Sequence, residues 1–243
     1  MTIEDRYYGN EADNYDARRR NTRTRAAEDA AFDRLLTRAM EKGPIANVLD
    51  VPCGTGRWIG RFEKAGVAYT GLDISSDMLR HAGAEAARLN VHAELVRGSC
   101  FVYLPEHRDR FDLVVSTRFI NWWDEETGKN LVTLLCQASR RYALLHVRVD
   151  DTALQRLLGR ALRWPNRLRK AIKSSEHKRR ELERAATLVR GRSAAPHPYI
   201  SYHARAALTR AVAEAGAVIL ESAVLRHHAY GTVELWLTER RTS

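Results

Sequence analysis

Short apolar runs alternate along the chain with longer stretches in which apolar residues recur every three or four positions. Val48-Leu49, Ala68 to Leu72, Val91 to Val96, Phe111 to Ser116 and Tyr142 to Val149 read as strands, and Phe111 to Ser116 is apolar almost throughout, as in a sheet covered on both faces. Between them, Arg57 to Ala65 turns Ile59 and Phe62 inward. Ser75 or Ser76 opens a helix burying Met78, Leu79, Ala82, Ala86 and Leu89 that ends at Asn90, and Asp124 opens another burying Leu131, Leu134, Leu135 and Ala138. Gly98 reads as a turn, with Leu104-Pro105 leading into the fourth strand. Strands alternating with helices predict an α/β protein with a doubly wound, mostly parallel sheet.

The flanking segments follow other patterns. Thr24 to Met40 carries a helical stripe of Ala27, Ala31, Phe32, Leu35, Leu36 and Ala39, ended by Gly43-Pro44, so residues 1–44 read as an N-terminal helical cap on a core spanning 45–150. From 151 to 198 the pattern is an insertion of helical pieces, with Leu154, Leu157, Leu158, Ala161 and Leu162 on one face and Arg156, Arg160 and Arg163 on the other. A linker from Ala194 to Pro198 returns to residues 199–243. There Ser201 is expected to cap a helix burying Leu208, Ala211, Val212 and Ala215, and Ala217 to Val224 with Thr232 to Leu237 form two last strands.

Chemistry concentrates at VLDVPCGTG, residues 48–56: a strand end, Asp50, then Gly54 and Gly56 flanking Thr55 in a bend before a helix. Glycine suits that bend because a Cβ would hold the backbone away from a ligand and forbid positive φ. Strand, glycine turn and helix open a sheet that takes a nucleotide-like ligand at the carboxyl ends of its strands. The second strand ends in Asp73, seventeen residues beyond Gly56, where a carboxylate meets the two hydroxyls of a ribose; each such bond is worth roughly 1.5–3 kcal/mol. The competing reading is a plain turn followed by a helix cap.

The succession VLDVPCGTGR, YTGLDISSDML and LPEHRDRFDLVVS resembles the class I S-adenosylmethionine-dependent methyltransferases of the small-molecule type, from about Asn47 to Val149. The resemblance implies a Rossmann-like sheet of seven strands with an antiparallel C-terminal hairpin, to which this chain adds its basic helical insertion. It implies S-adenosyl-L-methionine as cofactor, its methionine end wrapped by the loop that holds Asp50, Pro52, Cys53, Gly54 and Gly56, and its ribose held at Asp73 beside Ile74. Ser99 and Cys100 stand where an aspartate often contacts the adenine, and Ser116 and Thr117 where the backbone approaches the methionine. Pro52 replaces the usual first glycine; it fits if that residue keeps a negative φ and need not donate a hydrogen bond. Related enzymes also begin with a tyrosine-containing segment folded over the cofactor, which makes Tyr15 or Arg18 a candidate there, against simple surface packing.

Composition narrows the class. With 243 residues, 44% apolar and 29% charged, the chain suits one soluble core and an extra lobe. Cys53, Cys100 and Cys136 lack both disulfide-framework and metal-ligand spacing, so no metal is expected, and Cys53 reads better as a small packed residue than as a nucleophile. These few, scattered cysteines suit a reducing cytoplasm, and a polar N-terminus with no long apolar stretch reads as neither a signal peptide nor a membrane span. Net charge is +10, and residues 151–193 hold 13 Lys and Arg against 4 Asp and Glu, leaving 27 against 26 elsewhere. That basic insertion reads as a lid, as an attractor of an anionic acceptor, or as a surface for RNA or an anionic membrane bearing a lipid-linked substrate.

Methyl transfer from a sulfonium needs mainly alignment, so no catalytic dyad is required. On the acceptor side, Arg118, Asn121, Trp122 and Trp123 are placed to line a mouth, Arg156 and Arg160 to meet the substrate, and Asn121, Tyr15 or His203 to act catalytically. His203 stands at an expected helix start facing the cleft, whereas His146 lies inside a strand and reads as a core histidine. The Trp pair fits helix–sheet packing equally well. The expected function is methylation at O or N of a small or conjugated, anionic or lipid-linked acceptor, with an RNA methyltransferase or a noncatalytic cofactor-binding module as alternatives. A nicotinamide oxidoreductase lacks its Tyr-Lys pair here, and a P-loop enzyme lacks the Lys-Ser/Thr after the glycines.

Overall fold

The computed structural model describes residues 22–152, 155 and 201–241. Tyr15 and Arg18, and from the insertion Arg156, Arg160 and Arg163, lie outside the described residues.

The described chain runs α1 (Thr22–Glu41), β1 (Asn47–Asp50), α2 (Ile59–Lys64), β2 (Ala68–Asp73), α3 (Ser76–Leu89), β3 (Ala93–Arg97), α4 (Cys100–Glu106), β4 (Phe111–Ser116), a single 3-10 turn (Ile120–Trp122), α5 (Glu125–Ala138), β5 (Ser139–Asp150), β6 (His203–Ala204), α6 (Arg205–Glu214), β7 (Ala217–His228) and β8 (Gly231–Arg240). The strands lie in the order β3-β2-β1-β4-β5-β8-β7, parallel from β3 to β5 and antiparallel through β8 and β7. This is the expected doubly wound sheet with its C-terminal hairpin. It gains an eighth strand, because His203–Ala204 pairs parallel with Val149–Asp150 at the end of β5.

Alternate residues of each strand enter opposite cores, as the pleat requires. Leu49, Val114, Leu145 and Trp236 pack under α4, α5 and α6, while Val48, Leu113, Leu144 and Leu235 pack under α1, α2 and α3. Local chemistry sets the helix ends: Ser75 accepts the Met78 N–H, Asp124 accepts the Thr127 N–H, and Asn90 takes a left-handed conformation (φ 56°) that closes α3.

Three expectations need correction. Leu104-Pro105 does not lead directly into a strand but sits in a helix the pattern did not predict, α4, where Pro105 occupies the last turn of seven residues. The third strand starts at Ala93 and not Val91, because the Val91 N–H is used by the Ala86 carbonyl in closing α3. Ser201 does not cap the last helix. Its N–H goes to the Asn121 carbonyl at 2.7 Å, His203–Ala204 join the sheet, and α6 begins only at Arg205.

Gly56 has φ 79°, and a Cβ added there would lie 2.6 Å from Ile59 Cδ1 and 3.1 Å from Ala82 Cα. At Gly54 (φ 55°) an added Cβ would meet nothing within 4 Å. Gly56→Ala should therefore cost about 1–3 kcal/mol in a urea titration, beyond the left-handed penalty of about 1–2 kcal/mol that Gly54→Ala incurs alone. Equal midpoints for the two variants would contradict this packing.

Candidate active site

The loops at the carboxyl ends of β1, β2 and β4 converge on the glycine bend. Backbone bonds hang the bend between two strands, with the Val51 N–H on the Val115 carbonyl and the Cys53 N–H on the Leu72 carbonyl, both at 2.9 Å. The cis peptide Val51–Pro52 lies between them, and Pro52 presents no donor. The Gly54 N–H then points to Asp73 Oδ2 and the Ser75 N–H to Asp73 Oδ1, both at 2.9 Å. Asp73 is almost wholly buried; burial pushes its carboxyl up, and backbone donors at Ser75, Gly54 and Ile74 pull it back toward the ionised form. Each carboxylate oxygen is left with acceptor capacity.

Asp50 lies beside it at the end of β1. Its Oδ2 accepts the Tyr69 hydroxyl at 2.7 Å, and its Oδ1 and the Ser116 hydroxyl are buried without a hydrogen-bond partner among the described residues. Burial raises the Asp50 carboxyl to about 7, with the Tyr69 hydroxyl opposing and the Asp73 charge adding to the rise. Asp50 pairs with Val115 in register, so the two orphaned oxygens stand on adjacent strand ends. A polar ligand is the ordinary remedy for such groups. With open space over Gly54 and spare acceptors on Asp73, these residues fit an adenosyl-amino-acid ligand.

Other cofactor-side candidates are less exposed to a ligand. The Cys53 thiol is packed inside the turn, within reach of a Cβ at Gly71, and burial raises its pKa; burial likewise raises Cys100 to about 12. Ile74 and Ser99 are half-buried at the ends of β2 and β3, and Ser99 precedes α4 without a side-chain cap bond. Thr117 Oγ1 accepts the Trp58 indole N–H at 3.2 Å, tying the β4 loop to the residue ahead of α2.

Sequence reasoning missed Glu28. It is 1% exposed on α1, yet its carboxylate receives Arg57 Nη1 at 2.7 Å, Arg118 Nε at 3.0 Å and Arg118 Nη2, with His146 Nε2 at 3.6 Å. Arg57 comes from the bend, Arg118 (φ 58°) from the β4 loop and His146 from β5, so one acid joins three site elements. Burial opposes ionisation of Glu28, but the Arg118 hydrogen bond and the charges of His146, Arg57 and Arg118 outweigh it and hold its pKa at about 2. Burial lowers His146 to about 4 against the pull of Glu28, so its imidazole is neutral at neutral pH. Arg118 is thereby committed to Glu28. The only sequence signal for Glu28 was an acid next to the apolar stripe of an N-terminal helix.

The acceptor-side candidates divide. Asn121 is buried, its carbonyl bonded to the Ser201 N–H and its side-chain oxygen without a partner among the described residues. Trp122 is half-buried, and Trp123 packs edge-on against Phe101 and Phe119 in the core, at 5.0 and 5.7 Å between ring centroids. His203 does not face a cleft at a helix start. Its ring is fully buried on β6, with Nε2 at 3.2 Å from the Ile120 carbonyl and the ring against Gly128 of α5, and burial lowers its pKa.

Comparison with known proteins bears on this arrangement. Residues 48–140 match the family model described as a methyltransferase domain. Malonyl-[acyl-carrier protein] O-methyltransferase of Pseudescherichia vulneris is 32% identical over 118 residues, a match covering 49% of this chain and only 42% of that protein's length. The structure of magnesium protoporphyrin IX methyltransferase from Synechocystis PCC 6803 with bound SAH is similar at a TM-score of 0.64 and 14% identity, over 98% of each chain. A Burkholderia thailandensis 1,6-didemethyltoxoflavin-N1-methyltransferase, with bound 1,6-didemethyltoxoflavin and S-adenosylhomocysteine, is similar at a TM-score of 0.56 and 16% identity, over 95% of this chain and 83% of that one. At these identities the two structures speak for the fold.

The neutral His146 makes stability depend on pH. Its folded pKa, about 4, lies below the ordinary histidine value of 6.5, so its contribution is present above pH 6.5 and is lost as pH falls toward 4. The unfolding free energy should fall by roughly 2–3 kcal/mol over that window, and the melting temperature with it. His146→Gln should flatten this part of the profile, and an unchanged slope in that variant would contradict the assignment.

Proposed function

We propose that this chain, whose residues 48–140 form a class I S-adenosylmethionine-dependent methyltransferase domain, transfers a methyl group from S-adenosyl-L-methionine to O or N of a small or conjugated acceptor. The observation that carries the reading is the Asp73 carboxylate, which fixes the glycine bend through Gly54 and keeps acceptor capacity at the strand end where a ribose would lie. In this reading Asp73 and Ile74 hold the adenosyl group, Ser99 and Cys100 lie toward the base, and Asp50, Gly54 and Ser116 face the amino-acid end.

Bound there, the cofactor supplies an activated methyl on a sulfonium, a leaving group that needs no acid. The protein contributes position. Well-oriented reactants can gain roughly 7–11 kcal/mol over free encounter, which suits a site built from backbone bonds and buried ion pairs. Burial raises the Asp50 carboxyl to about 7, and a cationic amino-acid end beside it would favour its carboxylate form. The neutral imidazole of His146 keeps a lone pair, but its position within β5 beside Glu28 supports a structural role.

Several features keep the acceptor general. The relatives' names span malonyl-[acyl-carrier protein], magnesium protoporphyrin IX and 1,6-didemethyltoxoflavin. Among the described residues no helix is long and apolar enough to cross a membrane, and no group of three or more His, Cys, Asp or Glu is placed to hold a metal ion. A surface for RNA or for an anionic membrane rests on residues 151–193, which fall almost wholly outside the described residues.

Calorimetry and a labelled-methyl assay test the proposal together. S-adenosylhomocysteine should bind and NADPH should not, and Asp73→Ala should weaken the former about 100-fold or more, the equivalent of losing two charge-assisted bonds. Release of S-adenosylhomocysteine during turnover of a metabolite extract should fall with it. Preference for NADPH, or indifference to Asp73→Ala in a folded variant, would refute the reading.

A further inference from the structure

We infer that Arg148, at the carboxyl end of β5, recognises an oxyanion of the methyl acceptor, a carboxylate or a phosphate. The inference rests on the methyltransferase reading above and specifies the substrate class for it.

Position comes first. Leu145 pairs with Ser116, the last residue of β4, so Arg148 stands three residues further along a strand that outruns its neighbour. At about 3.3 Å per residue that is roughly 10 Å beyond the Ser116 level, on the face that also carries His146. The adjoining hairpin supplies rings, with Tyr230 at 5.1 Å from Tyr202 and at 5.2 Å from His228, and the Arg148 guanidinium carbon lies 5.7 Å from the Tyr202 ring.

Charge is the second observation. Arg57, Arg118, Arg140, Arg205 and Arg240 each have a carboxylate partner. Arg148 has none among the described residues, and its Nε is buried without a hydrogen-bond partner. Acids on the neighbouring elements are already engaged: Glu28 by Arg57 and Arg118, and Glu234 by Arg205, Thr232 and the Trp236 indole. The buried Asp150 stands two residues further on and Asp151 is held by Arg205, so the Arg148 guanidinium has no ion-pair partner among the described residues. Burial and the charges of Arg226 and Arg148 together lower the His228 pKa, in keeping with a positive local field.

A guanidinium with a buried, unpaired N–H beside aromatic faces suits an oxyanion better than any neutral group. Its planar fork can give two parallel hydrogen bonds to carboxylate or phosphate oxygens, and the buried N–H gains the partner it lacks. A neutral acceptor could take a hydrogen bond from that N–H through a carbonyl or hydroxyl oxygen but would leave the guanidinium charge unpaired.

The test uses the full chain saturated with S-adenosylhomocysteine and titrated with benzoate, phenyl phosphate and benzamide. At least one of the two acids should bind about tenfold or more tightly than benzamide, and the stronger acid identifies carboxylate or phosphate as the source. Arg148→Gln should remove that preference while leaving S-adenosylhomocysteine affinity within about twofold, and Arg148→Lys, which keeps the charge without the fork, should retain part of it. Acids that bind no better than benzamide, or an Arg148→Gln variant that keeps the preference, would overturn the inference. Failure of S-adenosylhomocysteine to bind the unaltered protein would instead defeat the methyltransferase reading.

Discussion

The carboxylate of Asp73 holds the site together. It receives the N–H of Gly54 from the loop after β1 and the N–H of Ser75 from the start of α3, joining a strand end, a bend and a helix start through two charge-assisted bonds. A buried carboxylate without such donors would be pushed toward protonation, and the bend without its acceptor would carry an unpaired amide. The rest of the cleft follows from that bond. Gly54 takes φ 55° with open space above it and its amide anchored on Asp73, and Gly56 must be glycine because α2 and α3 close behind it.

Around this anchor the arginines nearest the bend are paired with a buried acid. Glu28 brings α1 onto the bend and the β4 loop through Arg57 and Arg118, and the Phe32 ring stacks on Trp58 at 3.7 Å between centroids, with the Arg57 guanidinium 4.3 Å from the Trp58 ring. Truncating one partner of a buried pair typically costs about 3–5 kcal/mol, so such networks hold loops in place even when they add little net stability. Arg148, by contrast, has no carboxylate partner among the described residues and stands on β5 beyond the end of β4.

Most of the sheet was legible in the sequence because strands buried on both faces and capped helices leave strong local signals. Phe111 to Ser116, Ser75, Asn90 and Asp124 behaved as their chemistry dictates. The failures came where tertiary contacts override local rules. Pro105 lies in a helix that was not foreseen, and His203 was drawn into the sheet by pairing with Val149 and so lost the exposure a catalytic base needs. The bend, Asp50 and Asp73 could be read from spacing. Glu28 could not, since its role depends on arginines 29 and 90 residues away in the chain. Arg148 left a trace that is plain in retrospect: after the apolar YALL, the same strand continues as HVRVD, alternating polar and apolar where its neighbour β4 has already ended.

A crystal structure with S-adenosylhomocysteine tests the central role of Asp73 most directly. The ribose hydroxyls should lie on the Asp73 carboxylate with the Gly54 N–H bond intact, and the amino-acid end should cross the open face of Gly54 toward Asp50 and Ser116. Density for the nucleoside elsewhere on the protein, or a bend that releases Asp73 when the ligand binds, would contradict it.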